Sequence, residues 1–510
     1  MLWGTWMTAN ICMWMTDVAA AWMMTSLTTS PMWVALVQTA ATLPVFLLGL
    51  PSGAFADILN RRRYFMATQF WIAAVASALC AFVLSGLVTP VLLLAMTFAN
   101  GIGLAMRWPV YAAIVPDLVP RAQLPAALAL NGVAMNTSRI VGPLVAGAII
   151  ASAGSAYVFL LNAALSVAAG FVIMRWKHEQ VPSPLGRERL SSAIRVGVQY
   201  VRQSERMRSV LLRIALFFFH STALLALLPL IARGMDGGGA GTFTLLLASL
   251  GAGAIVTTLF LPRIRQRMPR ETLVLSGTLL QAGAMAVVAL APNIYVAVPA
   301  MFVAGTGLIS TANSLTVAAQ LALPDWVRAR GMSIYQMSIM GAGASGAALW
   351  GQVATVGSVA TSLLVAAASG AAAMTIAHVR LGDRSLEEDL TPAGEFRLPQ
   401  VAAPPGPGRV EMTIEYCIDP GRAAEFCALM QESRRSRLRQ GALAWELLCD
   451  TANMGRYVER IVDESWTEHL RRLSRITTSD VALRERKLAF HVGLAAPVVR
   501  RLLVTSAAAS

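Results

Sequence analysis

Long apolar runs are the feature of this sequence that most limits what it can fold into. A transmembrane helix needs about 20 mainly apolar residues, and residues 1–379 consist of a series of such runs separated by short polar segments. Twelve spans are predicted, at 4–27, 33–56, 64–86, 89–110, 126–151, 155–175, 209–231, 241–262, 272–291, 294–317, 331–354 and 358–379. The sequence therefore predicts an all-α membrane protein with twelve transmembrane helices in this part of the chain.

Charged residues are distributed unevenly, and this separates two parts of the chain that fold in different solvents. Residues 1–379 contain only 31 Asp, Glu, Lys and Arg, whereas residues 380–510 contain 37. A soluble protein carries charge on about 25% of its residues, which the second part matches and the first part does not approach. A water-soluble enzyme is therefore excluded for residues 1–379, and we expect a soluble domain after them.

The positions of the basic residues predict how the helices are oriented. Cytoplasmic loops of membrane proteins carry an excess of Lys and Arg. Here these residues follow the even-numbered spans, whereas the segments after odd-numbered spans are nearly free of them, with Arg233 as the exception. We therefore expect both termini and segment 176–208 in the cytoplasm of a bacterial cell with the spans in its inner membrane. Because the basic residues lie in short loops, the net charge of +14 does not indicate a nucleic-acid partner.

An internal repeat divides the membrane part into two halves. The segment Phe98–Leu104 reads again as Phe302–Leu308, with the same Gly-x-Gly spacing, and a Pro-Asp pair follows each copy at 116 and 324. Duplicated six-helix halves place a substrate site at their interface near the bilayer midplane. We therefore predict two pseudo-symmetric six-helix bundles joined by a linker. The predicted boundaries are 1–175 for the first bundle, 176–208 for the linker and 209–380 for the second bundle.

Two motifs carry a resemblance to a known family. Gly53 and Asp57, followed by Arg61, Arg62 and Arg63, resemble the signature of the major facilitator superfamily between spans 2 and 3, although Asn60 stands where that family usually has Gly. The resemblance implies secondary transport by alternating access. It also implies that Asp57 latches the two halves near the start of span 11.

A second motif lies in span 5, where Gly142, Pro143 and Gly147 resemble the G-P-x-x-G pattern of exporting branches of that superfamily. The layout of the whole chain resembles the bacterial transmembrane secretion effector group, which is related to enterobactin and macrolide exporters. The resemblance implies export of a small molecule and leaves the cargo open among drugs, siderophores and other secondary metabolites. The alternative role for these small residues is simply close helix packing.

Charged and polar residues inside the spans are candidates for the substrate or proton pathway, because a charge at the bilayer centre costs at least about 2.5–3.5 kcal/mol. Asp17 in span 1, Arg139 in span 5 and His220 in span 7 lie deep by residue count, and Asn136 is a candidate cavity residue. Three readings stay open: a structural Asp17–Arg139 ion pair, a group that titrates during transport, and a charge that binds cargo. Pro143 adds to the case for Arg139, since it removes the helical partner of the Arg139 carbonyl.

The tail alternates between strand and helix patterns. Residues 381–408 form a Pro-rich linker, and residues 409–510 read as β-α-β-β-α-β, which is a ferredoxin-like arrangement. Asp419-Pro420 begins the first helix and a capping box at Ser465 begins the second. The domain resembles small antibiotic-biosynthesis-monooxygenase-like domains. His469 and His491 invite an enzymatic reading, but no cofactor motif or acid–base pair accompanies them, so a structural, dimerising or regulatory role is favoured.

The sequence as a whole predicts a proton-coupled exporter of small molecules and not an enzyme. The five Cys have no metal-ligand spacing and no phosphate-binding P-loop is present, so we expect neither a metal, a cofactor nor ATP as the energy source. The expected partners are the cargo, protons and the lipid bilayer, with a homodimer through the tail as an open question. The alternatives are an uncoupled or import-direction facilitator, and a membrane-anchored enzyme with its activity in the tail.

Overall fold

Two compact units make up the chain. The computed structural model describes residues 2–58, 60–118, 123–175, 190–235, 237–381, 389, 391, 393 and 408–504. The first unit, here the helical unit, comprises Met1–Gln180, Leu211–Val317 and Ser333–Gly382. The second, here the α/β unit, comprises Val181–Val210, Ala318–Met332 and Asp383–Ser510.

A helix of 20 or more residues overlaps each of the predicted spans. These helices are α1 (Leu2–Leu27), α2 (Pro31–Ile58), α3 (Arg61–Leu84), α4 (Pro90–Leu118), α5 (Leu124–Ser152), α6 (Ser155–Arg175), α8 (Glu205–Gly234), α9 (Ala240–Arg267), α10 (Arg270–Ala289), α11 (Ile294–Leu321), α12 (Asp325–Val356) and α13 (Val359–Leu381). Within the described residues, nine of them are long and apolar enough to cross a membrane. The other three are α1, α5 and α12.

Different features make these three helices less apolar than the nine. Helix α1 carries Asn10 and Asp17, whereas the charge-free part of α12, residues 331–356, is rich in Gly and Ser and contains Gln336 and Gln352. The apolar part of α5 is limited to Thr137–Ser152 among the described residues. The helical unit is therefore a multi-pass membrane fold with nine clear spans.

The repeated Gly-x-Gly segment has the same packing role in both halves. A Cβ on Gly101 of α4 would lie 2.8 Å from the Ala41 carbonyl oxygen of α2, and a Cβ on Gly305 of α11 would overlap the backbone of α9 at Leu250. The second glycine of each pair faces the next helix: Gly103 faces α3, and Gly307 faces α10. Since α2 and α9 are both second in their half and α3 and α10 both third, the two copies occupy equivalent positions.

The α/β unit contains a helix that the sequence argument treated as part of a linker. Within the expected linker 176–208, α7 (Leu190–Gln203) is formed, and it buries Val196 and Tyr200 on one face at i, i+4 spacing. The rest of this unit is built from the tail. Its elements are β1 (Val410–Cys417), a 3-10 turn (Pro420–Arg422), α14 (Ala423–Arg439), β2 (Ala444–Cys449), β3 (Arg456–Asp463), α15 (Trp466–Ser474), α16 (Thr478–Leu488) and β4 (Val498–Leu503).

The tail strands form one antiparallel sheet in the order β2-β3-β1-β4. The alternating apolar residues of β1 face the helices, where Ile414 and Tyr416 pack with Phe426 and Met430 of α14. Two predictions need correction. Asp419 caps only the short turn, so the first tail helix begins at Ala423, and the single helix expected after Ser465 is two helices, because Thr477 and Asp480 form a second capping box.

Candidate functional site

The predicted charges in the first half of the helical unit lie near the middle of their helices. Asp17 is in α1 and Arg139 is in α5. Their described side chains are not joined by an ion pair; the Arg139 guanidinium instead lies 5.5 Å from the centre of the Trp14 ring, and its Nε has no hydrogen-bond partner. The structure therefore does not form an Asp17–Arg139 ion pair, which was one of the three alternatives left open. It leaves both groups in the interior as separate charges.

A further buried cation, Arg107 of α4, was not among the predicted candidates. Its side chain is only 2% exposed, and it donates from Nη1 to the Ala9 carbonyl at 3.1 Å and from Nη2 to Asn10 Oδ1 at 3.5 Å, both in α1. The guanidinium lies 5.4 Å from the centre of the Trp6 ring, which stacks on Tyr111 at 3.7 Å. A lone Arg within a span is itself a signal of function, and it could have been found from the sequence.

The G-P-x-x-G residues bring α5 close to helices of both halves. A Cβ on Gly142 would lie 2.5 Å from Trp14 Cβ of α1, and a Cβ on Gly147 would overlap the side chain of Thr244 in α9. Gly147 lies near the end of α5 and Thr244 near the start of α9. The small residues of this motif therefore allow a direct contact between the two halves at one end of the helices.

Aromatic and basic residues extend this contact between the halves. Trp22 near the end of α1 stacks on Phe243 of α9 at 5.8 Å, and the guanidinium of Arg233 near the end of α8 lies 4.9 Å from the centre of the Trp22 ring. Arg233 was the exception to the predicted charge pattern. Its contact with Trp22 gives it a packing role at the end where the halves meet.

The superfamily motif between α2 and α3 is described only in part. The surroundings of Gly53 and the side chains of Asp57 and Asn136 are not described, so these predictions stay untested. Asn60 accepts a hydrogen bond from the Arg63 backbone N–H at 3.1 Å and so caps α3. This gives a structural reason for Asn at a position where the family usually has Gly.

The arginines at the start of α3 include one that joins two helices. Arg62 donates to the Met174 carbonyl near the end of α6. Arg63 is exposed, and Arg61 and Arg62 are partly buried. Arg62 therefore satisfies one of the carbonyls that the end of a helix leaves without an internal partner.

His220 of α8 lines a small, mainly apolar cavity in the second half. Its Nδ1 lies 2.7 Å from the Leu216 carbonyl, and because a carbonyl can only accept, Nδ1 carries hydrogen and leaves Nε2 as the free acceptor of the neutral ring. The cavity has a volume of about 20 Å³, which is enough for one water. Gln281 of α10 also lines it, donates to Ser221 Oγ at 3.2 Å and has an Oε1 without a partner.

An ion-pair cluster near the ends of α8, α10 and α13 was not predicted. Arg213 Nη1 lies 2.8 Å from Glu271 Oε2, and His378 Nδ1 lies 3.8 Å from the same oxygen. The side chain of Arg213 is 5% exposed, so Glu271 compensates a buried charge. Because the three residues are far apart in sequence, no local pattern pairs them.

The two tail histidines have structural partners. His469 is fully buried and its Nδ1 lies 2.7 Å from Asp463 Oδ2, while Arg472 donates to the same carboxylate from Nε at 2.8 Å. Although burial alone would raise it, the pKa of Asp463 is lowered by His469 and Arg472. His491 Nδ1 accepts from the Cys417 backbone N–H at 3.0 Å.

Among the described residues, no group of three or more His, Cys, Asp or Glu side chains could hold a metal ion.

A second buried carboxylate, Glu459 of β3, is the centre of a hydrogen-bond network. It accepts from Ser433 Oγ at 2.7 Å, Trp445 Nε1 at 2.9 Å and Lys487 Nζ at 3.1 Å, and Arg437 lies at 3.6 Å. Burial alone would raise its pKa, but Lys487, Arg437 and the hydrogen bonds lower the pKa of Glu459 to about 2. Both buried carboxylates therefore stay ionised and hold the tail helices onto the sheet.

The fold and the interior charges define a multi-pass membrane transport protein. A model of the family described as transmembrane secretion effector matches residues 1–509. The chain belongs to this family, within the major facilitator superfamily that its motifs resemble.

The chain is also similar to individual proteins. It is 22% identical over 254 residues to the staphyloferrin A transporter of Staphylococcus aureus, a match that spans 49% of this chain and 63% of that relative. The chain thus matches less than two thirds of the relative's length. Among solved structures, nucleoside transporter NupG has a TM-score of 0.60 at 13% identity and covers 75% of this chain and 98% of its own. A POT family transporter in complex with 5-aminolevulinic acid has a TM-score of 0.60 at 12% identity, and the match covers 74% of this chain and 95% of that transporter.

Proposed function

We propose that this protein is a secondary active exporter of small molecules that works by alternating access. The observation that carries this proposal is the match of a secretion-effector family over essentially the whole chain. The proposal places the protein in the inner membrane of a bacterium, with twelve spans and both termini cytoplasmic, as the positive-inside pattern favours. The domain limits 1–175, 176–208, 209–380, 381–408 and 409–510 belong to the same proposal.

The contact between the two halves supports a specific state in the cycle. Under the proposed orientation, Gly147, Thr244, Trp22 and Phe243 lie at the external end of their helices. A transporter whose halves touch at that end is closed to the outside. The state described here is therefore proposed as the one closed to the outside, and cargo release requires the α5–α9 contact to open.

Proton coupling is proposed to use Asp17, with His220 as the second candidate. Asp17 lies near the middle of α1 without a described ion-pair partner, and a carboxyl group in that position can gain and lose a proton without breaking a salt bridge. His220 adjoins a cavity with room for one water and has a free acceptor nitrogen, which a proton relay needs. The cargo is proposed to be a siderophore or a similar metabolite, in line with the staphyloferrin A transporter among its relatives.

The tail is proposed to be a ferredoxin-like domain with a regulatory or dimerising role. The sheet order β2-β3-β1-β4, with helices after β1 and β3, supports the ferredoxin-like assignment. The exposed apolar residues Val498, Val499 and Leu502 on the edge strand β4 favour a role in dimerisation.

The experiment that tests the proposed function compares a deletion strain with the strain complemented by the wild-type gene or by Asp17→Asn. Export predicts that the deletion strain retains a metabolite that the complemented strain releases, and that Asp17→Asn restores membrane protein without restoring release. A matched control is Asp419→Asn, which changes an exposed Asp in the tail. Equal metabolite release by the deletion and complemented strains would refute export.

A further inference from the structure

Several buried indole and guanidinium groups in the first half of the helical unit have N–H groups without a described partner. Five buried indole and guanidinium N–H groups there have no partner among the described residues: Trp6 Nε1, Trp14 Nε1, Trp108 Nε1, Arg107 Nε and Arg139 Nε. The Tyr64 hydroxyl, both amide atoms of Gln69 and Asn131 Oδ1 also lack a partner there. Buried polar groups are almost always hydrogen-bonded, so each exception requires an explanation such as a missing ligand. The five N–H groups share one property, since all of them can only donate.

The five donors belong to three helices that pack together. Trp6 and Trp14 are on α1, Arg107 and Trp108 on α4, and Arg139 on α5. Each guanidinium lies over a Trp ring of α1, at 5.4 Å for Arg107 and 5.5 Å for Arg139. The two Trp residues are eight positions apart, which is roughly 12 Å along the helix at 1.5 Å per residue. The donors therefore form two groups along one side of α1.

The charge of these groups is not balanced by a described acid. Neither Arg107 nor Arg139 is in an ion pair with a described carboxylate, whereas the buried Arg213 in the other half is paired with Glu271, although its Nε and Nη2 also lack hydrogen-bond partners. A buried charge is expensive unless it is paired. Arg107 donates only to neutral acceptors of α1, Ala9 and Asn10, so its positive charge and that of Arg139 remain without a described counter-ion in the interior.

We propose that these residues bind an anionic cargo, with acceptor groups that Arg107, Arg139 and the indole N–H groups satisfy. The assignment names a substrate class for the transport site, and it rests on the proposed function for its transport step. Carboxylates and sulfonates suit the site, because guanidinium groups bind planar or tetrahedral oxyanions through charge-assisted hydrogen bonds. The Trp rings that flank the guanidiniums also favour a cargo with an apolar or aromatic part.

The test is a binding titration of the purified full-length protein with two probes of matched size. Naphthalenesulfonate is anionic and naphthalenesulfonamide is neutral, and quenching of tryptophan fluorescence reports the binding of either one. The wild type is expected to bind the sulfonate at least tenfold more tightly. Arg107→Gln and Arg139→Gln should each lose most of this preference, whereas Arg175→Gln, which changes an exposed Arg at the end of α6, should keep it.

Two further arms keep the test decisive. Arg139→Lys retains the positive charge, so it should retain part of the preference even where Arg139→Gln lowers the amount of folded protein. Equal affinity of the wild type for both probes, or unchanged preference in both Gln variants, would overturn the assignment. Sulfonate binding without sulfonate transport in liposomes would contradict the proposed function and leave the anion site intact. Transport of the neutral probe alone would overturn the anion site and leave the proposed transport function intact.

Discussion

Gly147 allows a direct contact between α5 and α9, which belong to different halves, and this makes it a sensitive position for alternating access. We expect Gly147→Leu to disfavour the state in which α5 and α9 touch. A Cβ at this position would overlap the Thr244 side chain, and the larger Leu cannot be accommodated without moving one helix. Overpacking of this kind costs typically 1–3 kcal/mol. Applied to a two-state equilibrium, that cost shifts the populations by about 5- to 150-fold.

The assay is a distance measurement between spin labels at Ser152, at the end of α5, and Ala240, at the start of α9. In the wild type the short distance should dominate, and in Gly147→Leu a longer distance should replace most of it. Thr244→Gly removes the side chain that the new group meets, so the double variant should regain the short distance. Gly283→Leu is the matched control, because a Cβ there meets nothing within 4 Å. Unchanged distances in Gly147→Leu would refute the reasoning.

Three further predictions concern other parts of the molecule. Glu459→Gln should speed hydrogen exchange in β1 and β3 by more than 100-fold, because it leaves buried Lys487 unpaired at a cost of about 3–5 kcal/mol. The control Glu432→Gln, which removes an exposed ion pair, should change the exchange rate little. The pKa of Glu459 is lowered from 4.5 to about 2, so the stability that this carboxylate contributes is complete above about pH 4.5 and is lost as the pH falls to about 2. Tail fluorescence followed during an acid titration should therefore show unfolding between these pH values. Unfolding above pH 5 would contradict this prediction. Glu464→Gln should make α7 more accessible to trypsin at Arg195 and Arg202, because Glu464 accepts hydrogen bonds from Ser192 at 2.8 Å and Arg195 at 3.1 Å. Unchanged cleavage would show that these hydrogen bonds do not hold α7 in place.

Local sequence patterns predicted the elements of this fold better than the contacts between them. The Gly-x-Gly repeat was found by its spacing, and the structure supplies its reason, since Gly101 and Gly305 allow the same close approach in each half. The strand at Val410 was equally predictable, because alternate residues are apolar. In these cases one physical cause acts within a few residues of the chain.

The missed features depend on residues that are distant in sequence. Helix α7 is polar overall, and the burial of its Val196 and Tyr200 is explained only by partners that are distant in sequence. These partners are the tail and the Ala322 carbonyl, to which Tyr200 donates at 2.9 Å. The sequence could not decide for a similar reason whether Asp17 and Arg139 form an ion pair. Residue counting gives depth in a membrane but not the direction in which a side chain points, and Arg139 is directed toward Trp14.

The most direct test of the central claim is transport in liposomes that contain the purified protein and are made acidic inside. A proton-coupled exporter exchanges protons for cargo, so naphthalenesulfonate added outside should accumulate inside above its external concentration. The accumulation should disappear with an uncoupler and in Asp17→Asn. Equilibration to equal concentrations, unaffected by the pH gradient, would contradict the account and favour an uncoupled facilitator.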